Sequence, residues 1–437
     1  MIYKTKVKSF LVKRQNWFYL SAVFLLFFLA FARIFIISYR GIFLNDFTGY
    51  CNVALALFRG QNPFPDHLEY LTLPHCNDVP VGGFPAQMLF FALFGFLWGK
   101  TVQILWVVLN ILIIIFLTGL TLVKACEYRW ADLWRPGKKQ FFFSVCCFLF
   151  LSSQNAMNTM RLGQIPVVLA FFLYGMFWLS QSPFLRTFFF AFIAAMKFSV
   201  LTVFAPLLYF KGHWKFCIAA FAIFILFCIS PVFCGNDLKE VYEGYFQAAK
   251  QAYQPGECGH YDTCGVFMCH IEFFKNSLIN YLLKAGVVAC IVWIFWRERK
   301  TKSLSDTLLM LAMNLTMLLS YHQAHDMSLV FPLFFIRLLG FAREKNWTYF
   351  GIEALFLLYL IVPGTLILKT ASLIGGFCRV ESIVFCTNEP WGAPYHHLFP
   401  ITALWMIALT IWNLHLYFHV NNPYIFRFAE SEQNSKQ

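Results

Sequence analysis

The stretch Thr101–Val123, TVQILWVVLNILIIIFLTGLTLV, runs for its whole length without one charged side chain. An apolar run of roughly 18 residues or more reads as a bilayer-spanning helix, because lipid offers the backbone no hydrogen-bond partner outside the segment. Working outward, Trp17–Ser38, Trp214–Cys234 and Trp347–Lys369 are further long apolar blocks, each with only one or two charged residues. Over the 437 residues, 59% are hydrophobic and 13% charged, where a soluble domain carries about 25% charged residues. Short alternating strands of the barrel kind are not visible. The fold class expected is an all-α integral membrane protein, with one polytopic helical domain over 1–420 and a short cytoplasmic tail over 421–437.

Charge sets the expected topology. The net charge of +13 would suit nucleic acid, but basic residues clustered between apolar blocks are more simply signals that hold loops inside. The clusters are Lys124–Lys139, the turn at Arg186, Lys211–Lys215, Arg297–Lys302 and Arg337–Lys345. The basic N-terminus (Lys4, Lys6, Lys8, Lys13, Arg14) precedes an uncleaved anchor, since the first block is full length and lacks a small-x-small cleavage site. All clusters share one side only if two segments deviate from simple spanning. Phe84–Trp98, with Pro85 and Gly95, should lie in the interface or re-enter without crossing. Arg186–Phe210 should be two short legs meeting at Lys197. The result is a bundle of about 12 crossings with both termini cytoplasmic and outer loops over 39–100, 235–276 and 370–397. Absence of Asn-x-Ser/Thr sequons in those loops favours a bacterial inner membrane.

Cys51, Cys76, Cys234, Cys258, Cys264, Cys269, Cys378 and Cys386 all fall in the outer segments. An even number there invites disulfides, and Cys378 with Cys386 share one short loop. The run Cys258-Gly-His260…Cys264…Cys269-His270 fits no common zinc spacing, so no metal site is assigned.

Polar groups gather at the same face. Asp46 follows the first spanning block by a few residues, and two readings fit it. It is a partly desolvated general base, or it caps an amphipathic helix from about Phe47 to Phe58. Arg161-Leu162-Gly163-Gln164 ends two apolar segments, and Lys197 stands in an otherwise uncharged run. A charge at bilayer depth faces a cavity or a partner, although a lysine also snorkels or pairs with a loop carboxylate. Tyr321-His322-Gln323-Ala324-His325-Asp326 is a polar hexapeptide between two apolar blocks; its histidines serve a site or lie exposed in a loop. One carboxylate, two cations, two histidines and a glutamine beside lipid suit an anionic lipid headgroup reacting with a hydroxyl. Walker, Gly-x-Ser-x-Gly and His-Glu-x-x-His motifs are missing.

The run Asp46-Phe47-x-x-Tyr50…Ala54…Leu57…Gly60-x-x-Pro63-Phe64 resembles the first-loop signature of glycosyltransferase family 87, the polyprenyl-phosphate-mannose-dependent mannosyltransferases of the GT-C superfamily. Gly163-Gln164, the Lys197 leg and the Asp326 loop are similar in type and order, so the resemblance reaches from Asp46 to Pro332. Phe84-Pro85-Ala86 stands where the family has Tyr/Phe-Pro-Pro, and Phe198 where it has Pro. The resemblance implies a GT-C-like fold and an inverting transfer of mannose or another hexose from a polyprenyl-phosphate donor to a glycan or glycolipid acceptor. It implies Asp46 as base, Arg161, Lys197, His322 and His325 around the donor phosphate, and Tyr50, Gln164 and Asp326 around substrate. No cofactor or metal is expected, and the active site would be periplasmic. A transporter or flippase, or an outer-face polysaccharide polymerase, would draw on similar groups; a transporter would carry them to both faces and show an inverted repeat, which is not visible.

Overall fold

The computed structural model describes residues 16–34, 45–64, 84–96, 100–252, 277–301, 303–319, 324–361, 401–420 and 424–426. The Cys378–Cys386 loop, the Cys258–His270 run, His322 and, in the C-terminal tail, residues 421–423 and 427–437 lie outside them.

The described chain is helical apart from one two-stranded ribbon. Four helices are long and apolar enough to cross a membrane: Asn16–Ile34, Ile104–Ala125, Pro183–Leu201 and Phe204–Cys234. The first (α1) is largely unburied, with Trp17, Phe18, Phe24 and Phe28 turned outward, as lipid in place of water allows. Shorter apolar helices, among them Pro166–Trp178, Asp306–Leu319 and Trp347–Ile361, pack with them, so an all-α membrane protein is what the fold shows.

The chain is irregular in both segments singled out from the sequence. Helix α2 (Asn45–Phe58) buries the stripe Phe47, Tyr50, Ala54 and Leu57, one face of a 3.6-residue period. It packs on α3 (Met88–Gly95), which has eight residues and, at 1.5 Å per residue, spans only ~12 Å. Gly95 permits the close fit: a Cβ there would meet the Cys51 carbonyl oxygen at 3.2 Å and Leu55 Cβ at 3.3 Å. Phe47 then stacks on Trp106 of α4 (Lys100–Ala125) with centroids 4.5 Å apart. Past α5 (Trp130–Trp134) the chain rises through α6 (Lys138–Leu151) and α7 (Gln154–Leu162) and returns in α8 (Pro166–Trp178).

Helix α9 (Pro183–Lys197) ends where Lys197 takes φ −157° and ψ 85°. A 3-10 turn and α10 (Phe204–Leu208) lead back. Gly212, at φ 88°, breaks the path again before α11 (Trp214–Ile229), a left-handed conformation that favours glycine. After α12 (Leu238–Ala252) come α13 (Ser277–Glu298), α14 (Asp306–Leu319), α15 (Phe331–Arg343), α16 (Trp347–Ile361) and α17 (Ile401–His419).

The expected basic loops converge on one end. Strand β1 (Leu304–Ser305) pairs antiparallel with β2 (Ile425–Phe426), Leu304 opposite Phe426. Phe426 is buried against Phe177 and Trp178. Tyr424 accepts the Asp306 amide at 2.9 Å through its carbonyl, and its hydroxyl accepts Trp178 Nε1 at 3.1 Å. Lys211 donates to Glu298 and, at 2.7 Å, to Thr301. Arg343 reaches the Cys126 carbonyl. Three of the basic residues read from the sequence as signals that hold loops inside are buried: Arg186, Lys211 and Arg337. Arg337 donates to Glu353 at 2.8 Å and to Asn413 at 2.5 Å, and Trp412 also donates to Glu353. A charge removed from water is tolerated there because its partner carboxylate is held against it.

Candidate active site

Opposite the ribbon, five elements close a ring around a polar locus. Helix α2 touches α7 and the Pro85–Gln87 turn; that turn touches α9; and the Ala324–Val330 turn touches α7. An ion pair between Lys197 and Asp326 joins α9 to the Ala324–Val330 turn.

Each contact has a local cause. Gly163, at φ 77°, ends α7, and the amides of Gly163 and Gln164 both bond to the Thr159 carbonyl at 2.9 Å. This cap delivers Gln164 to α2, where the Tyr50 hydroxyl donates to its Oε1 at 3.1 Å. Tyr50 also lies on Phe91, 5.0 Å between centroids. On α9 the break at Lys197 frees the Met196 carbonyl, and Gln87 Nε2 donates to it at 2.5 Å. A helix end buried among other elements needs such a partner. Pro85 at the first helical position starts the turn that holds Gln87.

Lys197 Nζ meets Asp326 Oδ2 at 2.5 Å; the lysine side chain is 21% exposed and the aspartate fully buried. The lysine is therefore paired with a loop carboxylate rather than extended into the interface. Three N–H donors project from an ammonium, so one bond to Asp326 orients the group without exhausting it. Tyr174 fixes the same turn by donating to the Leu329 carbonyl at 2.8 Å.

Four helices carry this locus at a set depth. Helices α8, α9, α14 and α15 run from the ribbon end to it in 13 to 15 residues each. At 1.5 Å per residue they cover only ~20–22 Å, less than the ~30 Å of a bilayer's hydrocarbon. A charge held among such apolar helices needs a cavity or a counter-ion.

Of the residues singled out in the sequence, Tyr50 and Gln164 meet each other, and Lys197 meets Asp326. Asp46 is in the first turn of α2, one turn before Tyr50, where the helix dipole favours negative charge. The helix begins at Asn45 rather than Phe47, so Asp46 belongs to the helix instead of preceding it. Arg161 is next to last in α7, and His325 lies in the Ala324–Val330 turn; their side chains, like that of Asp46, are outside the description. Among the described residues no three His, Cys, Asp or Glu side chains come close enough to hold a metal ion. Cys51 and Cys234, from the outer segments, are free thiols. Gln87 was missed, since a lone glutamine after Phe-Pro-Ala gives no chemical signal; only the proline start of its turn was legible.

The sequence model of glycosyltransferase family 87 matches residues 85–322, more than half of the chain. The chain belongs to glycosyltransferase family 87. The match takes in Gln87, Gln164 and Lys197, while α2 lies just before it and Asp326 just after. No curated protein and no solved structure matches the chain. As a family 87 member with membrane-spanning helices it is a membrane glycosyltransferase.

Proposed function

We propose that this enzyme transfers a hexose, mannose foremost, from a polyprenyl-phosphate donor to an acceptor hydroxyl, at the extracytoplasmic face of a bacterial inner membrane. The topology proposed has about 12 crossings, both termini cytoplasmic and Lys138 inside. The observation that carries the reading is the Lys197–Asp326 pair at the break of α9. A cation held in that way, oriented and partly accessible, supports a role in binding the donor's phosphate.

In the reaction proposed, Asp46 takes the proton of the acceptor hydroxyl as its oxygen bonds to the anomeric carbon. The bond from that carbon to the phosphate oxygen breaks with inversion, and its electron pair leaves with polyprenyl phosphate. The phosphate passes from one negative charge toward two, and Lys197, with Arg161, meets the added charge. Asp326 holds the ammonium in place. Tyr50 and Gln164, bonded to each other, position substrate beside Asp46. Anchoring of the donor by its own lipid limits the orientation lost at reaction. Against a transporter, the ribbon end is closed by the pairs Lys211–Glu298 and Arg337–Glu353.

Purified enzyme in nanodiscs, given radiolabelled polyprenyl-phosphate mannose or glucose and a membrane-extract acceptor, should release polyprenyl phosphate as label enters the acceptor. Transfer from a nucleotide sugar under the same conditions, with none from the lipid donors, would overturn the donor assignment.

A further inference from the structure

Gln87 bonds with only half of its side-chain amide. Nε2 is spent on the Met196 carbonyl at 2.5 Å, which fixes the amide's orientation and leaves Oε1 as the other arm. That oxygen is buried and has no hydrogen-bond partner among the described residues, while Gln87 as a whole is 5% exposed. Buried acceptors are nearly always satisfied, so an orphan inside a functional locus points to a ligand.

We infer that Gln87 Oε1 accepts a hydrogen bond from a hydroxyl of the transferred sugar, making Gln87 a substrate-binding residue that reads the donor's carbohydrate. The inference rests on the donor proposed above and names a contact within it. Chemistry selects the sugar from the parts of that donor. An amide oxygen only accepts; the ionised phosphate and the prenyl chain have no hydrogen-bond donor to offer, whereas a hexose has several hydroxyls. Position selects it too. Gln87 is tied to the residue before Lys197, and the sugar is covalently attached to the phosphate that Lys197 is proposed to hold. Neutrality matters as well, because a carboxylate at this position would compete with Asp326 for the ammonium. One amide would then do two things: set the backbone from which Lys197 projects, and meet the sugar attached to the lysine's phosphate.

The test compares binding of two lipids to full-length enzyme in nanodiscs: short-chain polyprenyl phosphate, and polyprenyl-phosphate mannose with its monodeoxy analogues. Gln87→Met keeps the length and removes both the acceptor and the donor to Met196; Gln87→Glu removes the same donor but keeps an acceptor oxygen. Wild type should bind the mannosyl lipid more tightly than one monodeoxy analogue by about tenfold, the scale of a single buried hydrogen bond. Gln87→Met should lose that discrimination, and should weaken the mannosyl lipid about tenfold more than it weakens bare polyprenyl phosphate. Gln87→Glu, monodisperse and folded, should keep part of the discrimination. Equal weakening of both lipids by Gln87→Met would mean that the amide only supports Lys197, and would overturn the inference while sparing the donor. Unchanged discrimination, or a change only in acceptor saturation, would overturn it as well. Wild type that binds bare polyprenyl phosphate but gains nothing from any attached hexose would refute the sugar contact; wild type indifferent to every polyprenyl phosphate would refute the donor itself.

Discussion

Replacing Lys197 by methionine removes a cation and also strands Asp326, whose carboxylate is fully buried. A buried charge left without its partner costs about 3–5 kcal/mol, and at the ~2–4 °C per kcal/mol of a large domain the melting midpoint should fall on the order of 10 °C. Loss of activity in Lys197→Met alone would therefore not separate a phosphate ligand from a strut. The double variant Lys197→Met with Asp326→Asn makes the separation. It removes both charges and leaves a neutral amide, whose unsatisfied groups cost about 1–3 kcal/mol, so roughly half of the stability loss should return. Transfer should not return with it. Loss of an electrostatic stabiliser of the leaving group lowers turnover by about 100- to 1000-fold, and removal of Asp326 does nothing to replace it. Thermal midpoints of the two variants, read beside transfer rates well below the midpoint, give both quantities. A double variant that regains stability and near-normal transfer would reduce Lys197 to half of a structural pair.

Asp46→Asn keeps the side chain's size in the first turn of α2 and removes its basicity, so turnover should fall roughly 100-fold or more with donor binding intact; brisk transfer by that variant would take Asp46 out of the reaction. Gly95→Val should push α3 off α2, because even a Cβ meets the Cys51 carbonyl oxygen at 3.2 Å; a loss of about 1–3 kcal/mol and of activity is expected, and a normal melting midpoint would show that the helices part without cost. Single cysteines at Asn62 and Lys138, in a cysteine-free background, should label from outside and from inside respectively. Outside labelling of Lys138 would make Phe84–Trp98 a true crossing and invert the sidedness proposed.

Much of the architecture was legible because the bilayer restricts the options: an uncharged run such as Thr101–Val123 has only a helix available to it. The shortness of Phe84–Trp98 and the lone Lys197 mid-run gave the two irregular segments, and the structure places a helix end at Lys197 and an eight-residue helix at Met88–Gly95. Pairings were not legible. Nothing local ties Lys197 to Asp326 across 129 positions, or Tyr50 to Gln164 across 114; such partners are chosen by how helices stack. The same limit misplaced Arg337, which reads as a loop signal by charge but whose counter-ion, Glu353, sits in the following helix. For Asp46 the sequence offered a cap or a base, and the structure puts the residue inside α2.

The ribbon end carries an implication for biogenesis. Strand β1, the Trp178 end of α8 and the Lys124 end of α4 all meet Tyr424–Phe426, residues translated long after their partners. During insertion those earlier segments must wait in the membrane with their mutual anchor missing. The helices then hold one another by their own packing, α4 on α8 among them, until Tyr424–Phe426 has been made. A nascent chain arrested before Tyr424 would present the quality-control proteases with a bundle unlatched at one end, and fusions that tether this tripeptide elsewhere would hold the finished protein in that state.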